Sequence, residues 1–298
     1  MTDKKLTVKR LIIFLIISFL PFIVIVPILN AHYGKPIYEC EEAAAAVYAL
    51  GVFGMMIPSV SNIITRLVTK EGFKNSYLGL NIEGNIKYYA ASIWVKLLET
   101  VLNTAIIYLV FFKGMGIKEV FIFDDMKAKM GAILLAVASA VIIFFPGFGE
   151  EWGWRGYMMP KLFELMPKPA AVISGGFIWG LWHAPLTVSG HNFATNHVGY
   201  PFVGILLMCL WCVICNCLLT LLTERTKSVY PASFCHMINN GFAGSAMFML
   251  FGTENAIEMQ NEISGVSAFL ATLPVSLIIA VISMILLMKE PRGDKNAA

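Results

Sequence analysis

MGAILLAVASAVIIFFPGFGEEWGWRG, residues 130–156, sets an apolar run directly against two carboxylates and an arginine. Met130 to Phe145 carries no charge and is long enough to cross most of a bilayer core, which takes about twenty residues. Glu150, Glu151 and Arg155 follow at its end. Ionisable groups at a membrane boundary are costly, and by default they mark a functional site whose partners must be found.

The rest of the chain has the same character. Of 298 residues, 58% are hydrophobic and 14% charged, and mean hydropathy is +0.73. A soluble domain is about a quarter charged, so the composition is that of a polytopic membrane protein. The net charge of +3 is not gathered into a polybasic tract, and no nucleic-acid partner is implied. There is no P-loop and no glycine-rich turn following a strand.

The twenty-residue rule predicts an all-α membrane protein, an eight-transmembrane-helix bundle. Its spans fall near 11–30, 43–65, 88–112, 130–147, 170–188, 201–223, 229–251 and 267–288. The first follows Lys4, Lys5, Lys9 and Arg10. It runs too long for a signal peptide, and Leu29-Asn30-Ala31 is a poor cleavage site, so it reads as a retained span. The third contains Lys96 and Glu99, three apart on one helix face and able to pair.

Lys35, Lys113, Lys118, Lys127 and Lys129 fall in outer loops, and Lys96 lies within a span. Every other lysine and arginine falls in the inner segments Met1–Arg10, Arg66–Lys87, Gly147–Lys168, Glu224–Lys227 and Lys289–Ala298. This asymmetry places both termini and the carboxylate pair on the cytoplasmic side of a cell membrane. The chain reads as one polytopic domain, 1–298, with its chemistry in 130–250. Cys209, Cys212, Cys215 and Cys217 crowd one apolar run, yet at roughly 100° per residue they drift around the helix axis. They read as small apolar residues, and Cys40 and Cys235 add no disulfide framework.

Pro146-Gly147-Phe148-Gly149 is expected to break the fourth span and start a new helix at Glu150. Its first turn would favour the carboxylates through free N–H groups and the helix dipole. Glu151 and Arg155, four apart, should pair and leave Glu150 free to act as a base. Trp179-Gly180-Leu181-Trp182-His183 adds a histidine on the fifth span. Gly175, Gly176 and Gly180 let another helix approach there, and Pro185 can kink the span. His236 and Asn240, four apart, share a face of the seventh span, which Gly241 and Gly244 thin. Each group alone could be a capping pair or an interhelical hydrogen bond. Three helices each placing polar groups in lipid are most cheaply satisfied in one shared pocket. Glu, His, His and Asn suit a hydrolytic water site, while HExxH, GxSxG and a paired intramembrane aspartate motif are absent.

At these residues the chain resembles the CAAX prenyl protease and bacteriocin-processing (CPBP, or ABI) family, the type II CAAX endopeptidases. The first family motif, EExxxR, corresponds to Glu150, Glu151 and Arg155. The second is usually FxxxH and here runs from Trp179 to His183, with Trp in place of Phe taken as a packing change. The third, HxxxN or HxxxD, corresponds to His236 and Asn240. The resemblance covers roughly residues 130–250. It implies an eight-helix bundle with an intramembrane catalytic cavity, and endopeptidase cleavage near the C-terminus of lipidated CAAX proteins. In bacteria it implies maturation of, or immunity to, bacteriocin-like peptides. The short, loop-poor chain points to a bacterial plasma membrane, with membrane lipid and a peptide or lipidated-protein substrate as partners.

Two mechanisms use the same residues. In one, Glu150, helped by His183, activates water, His236 and Asn240 stabilise the oxyanion, and Arg155 and Glu151 support them. In the other, Glu150, His183 and His236 hold a catalytic Zn ion and Glu151 is the base. Two rivals from other classes are a non-proteolytic immunity or scaffold protein and a small proton-coupled transporter. The complete motif set speaks against the first, and the lack of two-fold hydropathy symmetry against the second.

Overall fold

The computed structural model describes residues 3–121, 126–243 and 253–289. Among them the regular elements are helices, and the chain is a multi-pass membrane protein. Helix α1 spans Asp3–Tyr33. Next come α2 (Ala44–Ala49), a π turn (Leu50–Gly54) and α3 (Ile57–Val68). Helix α4 spans Ile86–Phe111, α5 Ile117–Val120 and α6 Met126–Gly153. A second π turn, Trp154–Met158, leads into α7 (Met159–Leu165). Then follow α8 (Lys168–Trp182), α9 (Ala184–Thr187), α10 (Phe202–Thr226) and α11 (Tyr230–Met237), the last running into a π turn at Ile238–Ala243. Helices α12 (Glu254–Glu262) and α13 (Gly265–Met288) close the described chain.

Among the described residues, five helical stretches are long and apolar enough to cross a membrane: α1, α4, Ile133–Leu165, α10 and α13. A sixth is the pair Glu41–Gly54 and Ile57–Val68, bent by 40°, if it is one span. Among the described residues there are thus five or six such spans, where the sequence predicts eight. The expected fifth span stops short because α8 ends at Trp182 after 15 residues, and the chain turns at His183 before α9. The expected seventh is described only to Ala243, and residues 244–251 lie outside the described residues.

The lipid-facing sides are apolar, as on α1 (Ile12, Ile16, Leu20, Ile23) and α13 (Ile278, Val281, Ile282, Ile285). Helix α10 is different. Its apolar window is 61% buried, against 17–33% for the other four, so it forms the centre of the bundle. Helix α8 lies tightly against it. A Cβ on Gly176 would stand 2.4 Å from the Val213 Cα, and one on Gly180 would stand 2.4 Å from the Cys209 Cα. Small residues let backbones approach this closely where lipid offers no hydrophobic drive.

Pro146 does not break α6, which continues through it to Gly153. Proline forfeits one backbone hydrogen bond, but in a membrane helix neighbouring helices can compensate. Here they grip both sides: Gly147 rests on the His236 ring, and Gly149 sits against Met55 and Met56. The irregularity comes later, as the π turn at Trp154–Met158. Glu150 and Glu151 therefore lie near the C-terminal end of a helix, and the expected stabilisation from a helix N-terminus does not apply to them.

The linker after α3 packs against this region. Arg66 donates to Gly72 O and Asn75 O, Trp152 Nε1 to Ser76 O at 2.9 Å, and Val229 N to Tyr77 O at 3.0 Å. The linker thus joins the end of α3 to α6 and to the α10–α11 turn. On α4, Lys96 Nζ lies 2.6 Å from Glu99 Oε2, the expected pair, and Ser276 of α13 donates to the other Glu99 oxygen.

Candidate active site

Helix α6, its π turn, α8 and α11 bring the charged groups together, and each is buried. Glu150 is 2% exposed, Glu151 0%, Arg155 1%, His183 8% and His236 5%. Buried charges persist only when paired and hydrogen-bonded, so their partners define what each group can do.

Glu151 is engaged through one oxygen. Its Oε1 accepts from Arg155 Nη1 at 3.0 Å and lies 2.8 Å from His236 Nδ1. The Arg155 pairing is the one expected from the i,i+4 spacing. Arg155 is anchored a second time, because its Nε donates to Asn216 Oδ1 on α10 at 3.1 Å. Asn216 in turn donates to Val172 O at 2.7 Å and accepts from Thr220 Oγ1 at 3.0 Å. Motif reading missed Asn216. Its only signal is a buried amide in an apolar run of Leu, Cys and Val, which must have partners.

On the far side, Asn240 Nδ2 lies 2.9 Å from His236 Nε2. A network thus runs from Thr220 through Asn216, Arg155, Glu151 and His236 to Asn240. A carboxylate can only accept, so His236 Nδ1 carries a proton and, in the neutral ring, Nε2 carries the lone pair.

Glu150 stands apart from this chain of contacts. Its Oε2 accepts from the indole Nε1 of Trp179 at 2.8 Å, and among the described residues no other hydrogen bond reaches it. His183, at the junction of α8 and α9, directs Nδ1 to Trp179 O at 2.9 Å. A carbonyl accepts only, so Nδ1 bears the proton and Nε2 is left as an acceptor. The Trp179 ring has Arg155 Cζ 4.0 Å from its centroid, with the rings of His183 and His236 at 5.9 and 6.0 Å. Trp179 is therefore the common neighbour of Glu150, Arg155, His183 and His236. Taking it as a packing replacement for Phe overlooked its N–H donor.

Two atoms of the cluster remain enclosed without a protein partner, Glu151 Oε2 and Arg155 Nη2. They, Glu150 Oε1 and Nε2 of His183 are polar positions with capacity to spare. Asn240, at the open end, is exposed. A separate cavity of about 290 Å³, lined by Phe111, Met259, Glu262, Ile263, Ser264 and Ser267, shares no residue with the cluster.

The zinc version requires Glu150, His183 and His236 to converge, with Glu151 free as base. Among the described residues no three His, Cys, Asp or Glu side chains are grouped to hold a metal ion. Both ring nitrogens of His236 are engaged, and Glu151 Oε1 carries two partners. The donor set in this arrangement does not fit zinc. All six cysteines are free thiols.

The model of one protein family, Rce1-like, described as type II CAAX prenyl endopeptidase Rce1-like, matches residues 132–242. That stretch contains all seven residues of the three motifs, and it bears out the resemblance they carry. The similarity implies a hydrolase, a CAAX-type endopeptidase acting at the membrane. No curated protein matches the chain.

Proposed function

We propose that the chain is an intramembrane endopeptidase that hydrolyses a peptide bond near the C-terminus of a CAAX-type protein, with a carboxylate and a histidine activating water. The observation that carries this reading is the division of labour between the two neighbouring carboxylates. Glu151 is tied to Arg155 and His236, while Glu150 meets one indole N–H and is otherwise uncommitted. That pattern is what a supporting carboxylate beside a working one requires.

In the proposed reaction Glu150, helped by His183 Nε2, takes a proton from water. The hydroxide oxygen adds to the scissile carbonyl carbon. Negative charge gathers on the carbonyl oxygen, where Asn240 offers an N–H; its amide donates one hydrogen to His236 Nε2 and has a second. Collapse of the adduct breaks the C–N bond, and the proton held by Glu150 passes to the leaving amine. Arg155, backed by Asn216, keeps Glu151 and hence His236 in place.

The same proposal covers the finer topology. The bent pair, α8 with α9, and the expected span 229–251, which is described only to Ala243, are the three further crossings beside the five long helices. This gives eight spans, both termini cytoplasmic, and a site near the inner face of a bacterial plasma membrane. Lipid and a peptide or lipidated protein are the partners.

The test is to incubate purified full-length protein, reconstituted in lipid, with farnesylated and unmodified CAAX-type peptides, and to identify products by mass spectrometry. Parent protein should release a C-terminal fragment, and well-folded Glu150→Gln should not. Equal cleavage by both would remove Glu150 as the base. No cleavage of any peptide by the parent would favour a non-proteolytic immunity or scaffold role.

A further inference from the structure

We propose that Trp179 is a positioning residue of this site, whose indole N–H pins one oxygen of Glu150 and so fixes which oxygen faces the water. The inference deepens the protease reading and rests on it for its kinetic consequence.

Three observations carry it. First, the Trp179 Nε1–Glu150 Oε2 hydrogen bond, at 2.8 Å, is the one hydrogen bond to Glu150 among the described residues. A carboxylate with one donor on one oxygen has that oxygen occupied and the other free. Second, the backbone carbonyl of the same residue accepts from His183 Nδ1 at 2.9 Å, which leaves His183 Nε2 available. One residue thus orients both groups assigned to the water, its N–H acting on the acid and its carbonyl on the imidazole. Third, the indole itself is held. Trp179 is buried on α8, where Gly176 and Gly180 press the helix backbone onto α10, and the Arg155 guanidinium covers its ring at 4.0 Å. A donor fixed by its own surroundings can fix its partner, which is what preorganisation demands.

A phenylalanine at position 179 would keep a flat ring for Arg155 and the carbonyl for His183. It would leave both Glu150 oxygens without a donor. The side chain could then rotate about its terminal bond, and a buried acceptor would lose its partner.

The experiment compares the full-length protein carrying Trp179→Phe, and separately Trp179 replaced by benzothienylalanine, which has the shape of tryptophan with sulfur in place of N–H. Turnover of the CAAX-type peptides is measured in lipid. In parallel, the Trp179 indole N–H resonance is recorded in ¹⁵N-tryptophan protein, assigned by its loss in Trp179→Phe. We expect kcat to fall about ten- to a hundredfold in both variants, the range of a hydrogen bond to a charged group, with KM unchanged. We expect the resonance to move upfield in Glu150→Gln, where the acceptor is no longer charged. Parental kcat in the benzothienylalanine protein overturns the positioning role. A fall in kcat that comes with an equally raised KM also overturns it, in favour of packing. A resonance unmoved by Glu150→Gln overturns the hydrogen bond itself. A parent with no turnover on any peptide counts against the protease reading and removes the positioning role with it, while the resonance still decides the hydrogen bond.

Discussion

Arg155 Nη1 lies 3.0 Å from Glu151 Oε1, and both side chains are withdrawn from solvent, 1% and 0% exposed. The pair is costly to build and more costly to break, because removing one partner leaves the other as an uncompensated buried charge. Arg155→Ala should destabilise the protein by about 3–5 kcal/mol, read as a lowered unfolding midpoint in detergent. Arg155→Lys should not restore it, since an ammonium lacks the planar fork that meets Glu151 on one side and Asn216 on the other. Parental stability in Arg155→Ala would show that the pair does not hold the site.

Glu150 and His183 are assigned to one water. Glu150→Gln and His183→Ala should each lower kcat by at least about a hundredfold. The double variant should be hardly slower than either single one, because groups that act as a unit are not additive. Multiplying losses in the double variant would mean that the two act at separate steps.

Helix α8 carries Trp179 and His183, and its seat on α10 depends on Gly180. A Cβ there would stand 2.4 Å from the Cys209 Cα, a backbone atom that cannot swing aside. Gly180→Val should force the helices apart, costing about 1–3 kcal/mol and most of the activity. Gly131→Ala on α6, where a Cβ meets nothing within 4 Å, is the control and should leave both nearly unchanged. Equal behaviour of the two variants would contradict the close packing.

In the linker after α3, Glu71 meets Lys161 Nζ at 2.6 Å, Arg10 Nε at 3.3 Å and the Tyr157 hydroxyl at 3.0 Å. Burial pushes its carboxyl up, but the hydrogen bonds and charges of Lys161, Tyr157 and Arg10 outweigh it and hold the group below its ordinary 4.5. The folded state therefore binds this proton less readily than the unfolded chain. The stability it contributes is fully present above 4.5 and is lost as pH falls through the lower folded value. Melting curves of parent and Glu71→Gln should differ at neutral pH and converge in acid. A difference that grows in acid would reverse the sign.

The cluster is expected to work without a bound divalent ion. Turnover should be indifferent to a strong chelator applied during purification and assay. Inactivation that added zinc reverses would instead require His236 to release Asn240 or Glu151, and would favour the metal version of the site.

What the chain alone determined is what helix periodicity controls. Apolar composition made it a membrane protein, and a spacing of four along a helix paired Glu151 with Arg155 and His236 with Asn240, because 3.6 residues complete a turn. The three motifs could be found for the same reason, since each is local. The contacts that decide roles are not local: Trp179 reaches Glu150 across 29 residues, Arg155 reaches Asn216 across 61, and His236 reaches Glu151 across 85. They depend on which faces of α6, α8, α10 and α11 meet, and that is set by glycine-mediated backbone approach and by the π turn after Gly153. The course of α6 through Pro146 belongs with them. Intrinsic propensity argues for a break there, yet the helix runs on with Gly147 and Gly149 packed on neighbouring segments, and Glu150 and Glu151 are presented from one element to two different partners.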